Sequence, residues 1–290
     1  MNTDWRNDEA VQQAARNLFV GVVPERREEL EGFWEQNDLQ FNVLKDLTED
    51  GSFILDAGQY KNIRFNHRVM RAYWLAGFIA WEGYQSIHSG LMTGTKDFQH
   101  FKEMIDIFFC ILGEDDSTLV PMPKGIPDPG NYVELVEHRA AAELSTLAVG
   151  WALLHEVRHI RHQREGTSAD RDAPPHAKYA EELSCDEFAT RFLLERVSQF
   201  ASEHGKDPEL VRQKRELGIY FGLFALTLVK ARSGHWGDSD THPAIQTRIN
   251  ATINQIQGSG TRMSDAIAHV AFGALWSLWP EAPGPFKVED

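Results

Sequence analysis

Residues His155-Glu156-Val157-Arg158-His159 form an HExxH pattern, the stretch of the chain whose residue types and spacing most directly suggest chemistry. On a helix, histidines four residues apart lie on one face a turn apart, so both imidazoles can reach a single cation, and Glu156 projects beside them as a candidate general base. With 12 histidines in the chain, such a pattern arises by chance in roughly a few per cent of cases, so a third ligand must decide. His162 points the same way as His155 but lies about 10 Å further along a helix axis. No glycine turns it back, and it reads as a surface histidine. A better candidate is Glu182, in Tyr179-Ala-Glu-Glu-Leu-Ser-Cys-Asp-Glu-Phe-Ala189. Catalytic zinc commonly takes two histidines and a glutamate and keeps its fourth position for water. Asp186, one turn after Glu182, is placed to accept a hydrogen bond from the non-ligating nitrogen of a ligand histidine and so fix its tautomer. The plain alternative is that Glu181, Glu182, Asp186 and Glu187 form the wet side of an amphipathic helix. Cys185 reads as a small packed residue off the Glu182 face.

These residues need two helices to hold them. Ala140 to Gln163 contains good helix formers apart from Gly150 and no proline, with Leu153, Val157 and Ile160 on the side opposite the histidines. One face is expected in a core and the other on a cleft. A loop with Gly166, Pro174 and Pro175 leads to the second helix. Upstream, residues 3–19 and 25–38 pattern as helices, with Pro24 at a helix start. Phe53-Ile54-Leu55 and Asn62 to Phe65 form the one expected hairpin, through the Ala57-Gly58 turn. Arg68 to His88 is an aromatic-rich helix read as core, and Phe98 to Leu112 is another. Residues 113–131, rich in Pro and Gly, are expected as a domain boundary or a lid over the cleft. Downstream come a helix at 208–232, a loop at 233–240, a helix from Pro243 to Ile256 and one from Ser264 to Trp279 capped by Ser264. The tail is expected to be extended or disordered. The fold class is mainly α with a small β-sheet.

Composition narrows the function. A 42% hydrophobic content suffices for a proper core, while a net charge of −14 with no Lys/Arg stripe argues against nucleic-acid binding. Two cysteines, Cys110 and Cys185, indicate no disulfide framework and fit a reducing, cytoplasmic setting. The start of the chain, MNTDWRNDEA, has no secretory signal pattern. The most apolar window, Gly218 to Val229, has 12 residues where a membrane span needs about 20, so it reads as a buried helix and no membrane partner is expected.

HEVRH followed by E-L-S-C-D-E-F-A resembles the gluzincin arrangement of HExxH then ExxxD in small bacterial metallopeptidases. The second block, with Glu182, Asp186, Phe188-Ala189 and Leu193-Leu194, is also similar to that of peptidases that cleave phage immunity repressors. Thr241-His242-Pro243 with Arg248-Ile249 is similar to a His-Pro…Arg-Ile segment of membrane-embedded gluzincins. Size and architecture most resemble the Lit family of phage-exclusion peptidases. The resemblance implies a minimal zincin core in a helical domain, with residues 1–125 for recognition of substrate or regulator and 126–290 as the metallopeptidase core. It implies Zn²⁺ on His155, His159 and Glu182, Glu156 as base, Asp186 behind a ligand histidine, and His242 and Arg248 as donors to the developing oxyanion, with Tyr179 and Tyr220 as runners-up. The partners implied are a protein substrate, elongation factor Tu, and an activating phage peptide or regulator. Two other readings stand beside it: cleavage of a phage or mobile-element repressor, and a non-catalytic helical module with a vestigial HExxH.

Overall fold

Long apolar-striped runs, some opened by polar caps, produce ten α-helices, two short 3₁₀ helices and three strands among the residues described by the computed structural model, which are 7–37, 40–44, 53–58, 62–131, 133–256 and 262–286. The helices are α1 Asp8–Gly21, α2 Arg27–Asn37, α3 His67–Thr93, α4 Gln99–Gly113, α5 Val136–Glu165, α6 Pro175–Leu194, α7 Val197–His204, α8 Pro208–Ala231, α9 Ile245–Ile256 and α10 Met263–Trp276. The strands are β1 Gln40–Leu44, β2 Leu55–Ala57 and β3 Asn62–Asn66. The architecture is mainly α with a small β-sheet, as expected. Local chemistry marks the ends. Asn66 accepts from the Val69 amide to start α3, and Asp207 accepts from the Glu209 amide ahead of Pro208 at the start of α8.

The sheet order is β1-β3-β2. The expected hairpin is present with its first strand shifted: β2 is Leu55–Ala57 rather than Phe53–Leu55 and pairs antiparallel with β3, Leu55 opposite Phe65 and Ala57, expected in the turn, opposite Ile63. Residues 59–61, between the two strands, lie outside the described residues, as do 3–6 of the first expected helix, residue 38 of the second and 287–290 of the tail. Strand β1, parallel to β3 with Phe41 opposite Ile63, was not anticipated. Its one-residue alternation is too short to stand out, and parallel pairing leaves no turn signature.

Helix α5 is the axis of the molecule, with α3, α6 and α8 packed against it and α10 bridging α3 and α8. Small residues allow the close approach. A Cβ at Gly77 of α3 would lie 2.1 Å from Ser145 Oγ, and one at Gly218 of α8 would lie 2.4 Å from Leu147 Cβ. The expected two-sided character of α5 holds around the motif: Leu153, Val157 and Ile160 lie in the core, and His155, Glu156 and His159 line the cleft described below. Trp151 to Val157 are nonetheless buried without interruption, because α8 and α6 pack on α5 and make the cleft deep. His162 is likewise buried, its ring held by Thr167 and Ser184, and it is not the surface histidine expected.

Other differences are local. Residues 113–131 are fixed to α3 rather than free as a lid: Arg71 donates to the Ser117 and Val120 carbonyls, and Trp74 Nε1 donates to the Pro127 carbonyl. None of them lines the cleft described below. Helix α10 begins with Arg262 at its N-cap, and Ser264 instead bonds the buried Glu216. Of the tail, residues 282–285 are buried, with Gln246 bonding the Gly284 backbone from both its amide atoms. The proline-rich composition that suggested disorder folds back onto α9 and α10.

Candidate active site

Helix α5 presents His155, Glu156 and His159, and α6, running beside it, presents Glu181, Glu182, Cys185 and Asp186. The ring of His155 donates from Nδ1 to Asp186 Oδ1 at 2.9 Å, the contact expected from the helical spacing. His159 donates from Nδ1 to Glu181 Oε1 at 2.7 Å. A carboxylate at each Nδ1 fixes both tautomers, so each Nε2 carries a lone pair. Those two Nε2 atoms face one another at 3.1 Å. Glu182 completes the convergence, its Oε2 lying 3.4 Å from His155 Nε2 and its Oε1 3.3 Å from His159 Nε2. Three electron-pair donors thus point at one spot. Metal–ligand distances of about 2.0–2.1 Å in a tetrahedral zinc site imply ligand–ligand edges of roughly 3.3 Å. The residues present fit such an ion, and Glu182 Oε2 is buried with no hydrogen bond among the described residues.

Cys185 was expected as a packed residue off this face; it is fully buried in the middle of α6, with its sulfur near the two histidines. Its Sγ and one nitrogen of each of His155 and His159 all lie within 4.8 Å of one another, a group that could also hold a metal. Burial pushes its thiol up to about 11, against the pull of His159.

The electrostatics demand positive charge at this spot. Burial opposes protonation of His159, but its contacts with Cys185, Glu181 and Glu182 outweigh that and raise its proton affinity well above the ordinary histidine range. His155 shifts the same way through Asp186 and Glu182. Burial would raise the Glu182 carboxyl, yet the two histidines and Arg248 hold it far below its usual value. Protons and a divalent cation compete for such a site. Glu156 behaves oppositely: burial raises its carboxyl, only partly countered by the histidines.

A cleft of about 610 Å³ opens onto these groups. Strand β2 and Phe53-Ile54 form one wall, Leu226, Val229 and Ile245 form an apolar side, and His242 and Lys230 stand on the polar rim. The side chain of His242 is half exposed, its Nε2 3.6 Å from Glu182 Oε1. Arg248 also lines the cleft, its Nη1 3.9 Å from Glu182 Oε2. Its guanidinium is buried and bidentate on Asp186, Nε to Oδ2 at 2.8 Å and Nη2 to Oδ1 at 2.7 Å. Tyr179 donates to the Ser239 carbonyl and Tyr220 to Asp265, neither toward the histidines. Glu181 was missed as more than a wet-face residue. Ser168 Oγ and the Ala169 amide anchor it across the loop, a tertiary arrangement that helical spacing does not reveal.

No solved structure matches the chain. Among curated proteins, the chain is similar to a "Cell death peptidase" of Escherichia coli (strain K12), 26% identical over 157 residues, which are 53% of this chain and 47% of that protein. The matched segment thus spans about half the length of the curated relative. The family model described as Peptidase U49 matches residues 63–271, from β3 through α10, and so takes in α5, α6 and the Arg248 helix together. With the whole convergent site inside that match, the chain belongs to the peptidase U49 family.

Proposed function

We propose that this peptidase is a zinc-dependent endopeptidase whose ion is held by His155, His159 and Glu182. The observation that carries the reading is the convergence of both Nε2 lone pairs and the Glu182 carboxylate, at 3.1–3.4 Å from one another, with each imidazole fixed from behind by a carboxylate. Without a cation or extra protons, that arrangement is repulsive. Bound Zn²⁺ would supply Lewis-acid polarisation of the scissile carbonyl and acidify water to a pKa of about 7. Glu156 takes the proton from the attacking water and passes it to the leaving amine, a task suited to a carboxylate whose proton affinity burial has raised. Asp186 and Glu181 hold the imidazoles in the ligating tautomer. Arg248 acts through Asp186, holding its carboxylate in place, in preference to the oxyanion role that the resemblance implied. His242 stays a candidate donor at the rim.

The shape of the cleft supports a polypeptide substrate. Strand β2 is an edge of the sheet, with no described strand beside it on the cleft side, and its residues line the cleft. An extended segment laid along Leu55–Ala57 would add backbone hydrogen bonds and pass the histidines. The N-terminal 125 residues supply this wall and are proposed as the recognition part, with 126–290 as the catalytic core. Among the described residues no helix is long and apolar enough to cross a membrane, and we place the enzyme in the cytoplasm, acting on one protein there. The phage-exclusion resemblance makes elongation factor Tu the first substrate to try, with a phage peptide as activator.

The test uses Zn²⁺-loaded chain and its Glu156→Gln variant incubated with bacterial lysate and with purified elongation factor Tu, with cleavage read by mass spectrometry. Cuts by the wild type that are lost with a chelator and in the variant support the reading. Cleavage that survives both contradicts it, and no cleavage of any protein, also in lysate of phage-infected cells, leaves a helical module with a vestigial motif.

A further inference from the structure

One polar group in the cleft comes from neither α5 nor α6. Tyr73, on α3, is 3% exposed. Its ring packs on Phe53 with centroids 6.0 Å apart, and it lines the cleft with His155, Glu156 and Glu182. Among the described residues no hydrogen bond engages its hydroxyl. Buried phenols usually find a partner, so a hydroxyl left open toward a cleft suits a partner that arrives with the ligand. Other donors nearby are engaged, Tyr179 with Ser239, Tyr220 with Asp265 and Trp151 Nε1 with Thr190, while Arg248 gives Nε and Nη2 to Asp186 and keeps Nη1 3.9 Å from Glu182 Oε2. The position of Tyr73 is set by the tight α3–α5 crossing one turn further on, where Gly77 meets Ser145 and Ser145 Oγ donates to the Trp74 carbonyl.

We propose that Tyr73 is a catalytic residue whose hydroxyl donates a hydrogen bond to the carbonyl oxygen as it gains negative charge during attack. The proton stays on the tyrosine, and no bond is made or broken there. Burial pushes the ionisation of Tyr73 well above its ordinary value, so the hydroxyl keeps its proton at neutral pH. The proposal rests on the peptidase reading above and adds a donor from the N-terminal half, where His242 is the rim alternative.

The test uses full-length Zn²⁺-loaded wild type, Tyr73→Phe, His242→Ala and Glu156→Gln, with a peptide found as cleaved in a digest of bacterial lysate as probe. Losing one oxyanion donor costs about 10²–10³-fold in kcat. Tyr73→Phe should show that loss with KM, zinc content and Tm unchanged. A phosphinic analogue of the same peptide, mimicking the tetrahedral state, should bind the variant more weakly, while the product peptides bind equally. Wild-type kcat in Tyr73→Phe, or the large loss appearing only in His242→Ala, overturns the role of Tyr73 and leaves the peptidase reading standing. If zinc-loaded wild type cuts no peptide, or cuts as fast with Glu156→Gln, the peptidase mechanism itself falls and Tyr73 with it.

Discussion

Asp186 shows how much of the site depends on single side chains. It is fully buried, accepts from His155, and receives both arms of the Arg248 fork. Burial alone would raise its carboxyl, but the Arg248 charge and hydrogen bonds, and then His155, bring it below the ordinary aspartate value. Because the folded value is depressed, its contribution is present above the unfolded pKa of about 3.9 and is lost as pH falls through the folded value. Asp186→Ala would leave Arg248 as an uncompensated buried charge and is expected to destabilise the chain by about 3–5 kcal/mol, measured by denaturant unfolding at pH 7. Most of that deficit should disappear at a pH low enough to protonate Asp186 in the wild type. A deficit of the same size at every pH would mean the ion pair is not its source. Cys185 makes the second residue-scale case. If Glu182 is the third ligand, Cys185→Ser keeps the metal and Co²⁺-substituted protein shows no thiolate-to-cobalt charge-transfer band. Such a band, lost in the variant, would place the sulfur on the ion. His155, Glu156, His159, Glu182 and Asp186 were legible in the sequence because their relations are helical offsets of one and four residues. Glu181, Cys185 and Tyr73 were not, since their direction is decided by how α6 and α3 pack on α5.

At the scale of elements, the site is positioned by close helix contacts. Tyr73 and Gly77 lie one turn apart on α3, and the glycine rests on Ser145 of α5. A methyl there meets Ser145 Oγ and Cβ at 2.1 and 2.9 Å. Gly77→Ala is therefore expected to cost about 1–3 kcal/mol by overpacking, and to lower kcat by shifting Tyr73, with zinc content unchanged. A stable variant with full activity would show that α3 tolerates the shift and does not set the geometry of the cleft. The long helices were readable from apolar periodicity and caps, and their order held. The fully buried stretch Trp151–Val157 was not, because histidine and glutamate within a motif look polar until a neighbouring helix covers them. Strand β1 and helix α7 are short, and short elements carry little periodicity of their own.

For the molecule as a whole, one apolar cluster runs from Val11 of α1 to Leu275 of α10, and so crosses the 125/126 division. Heat should unfold the chain in a single cooperative transition, with a calorimetric enthalpy equal to the van't Hoff enthalpy; two resolved transitions would show that the halves are independent. Zinc at 100 times its Kd should stabilise that transition by about 2.7 kcal/mol, whereas Mg²⁺, which prefers octahedral oxygen sites, should add little. The central claim is that two histidines and Glu182 hold one ion. Its most direct test is the metal content of purified, zinc-reconstituted wild type beside His159→Ala, Glu182→Ala and Glu156→Gln. The expected result is about one zinc per chain in the wild type and Glu156→Gln, and little in the two ligand variants. A wild type that takes up no zinc, or a Glu182→Ala protein that holds it as tightly, would contradict the account.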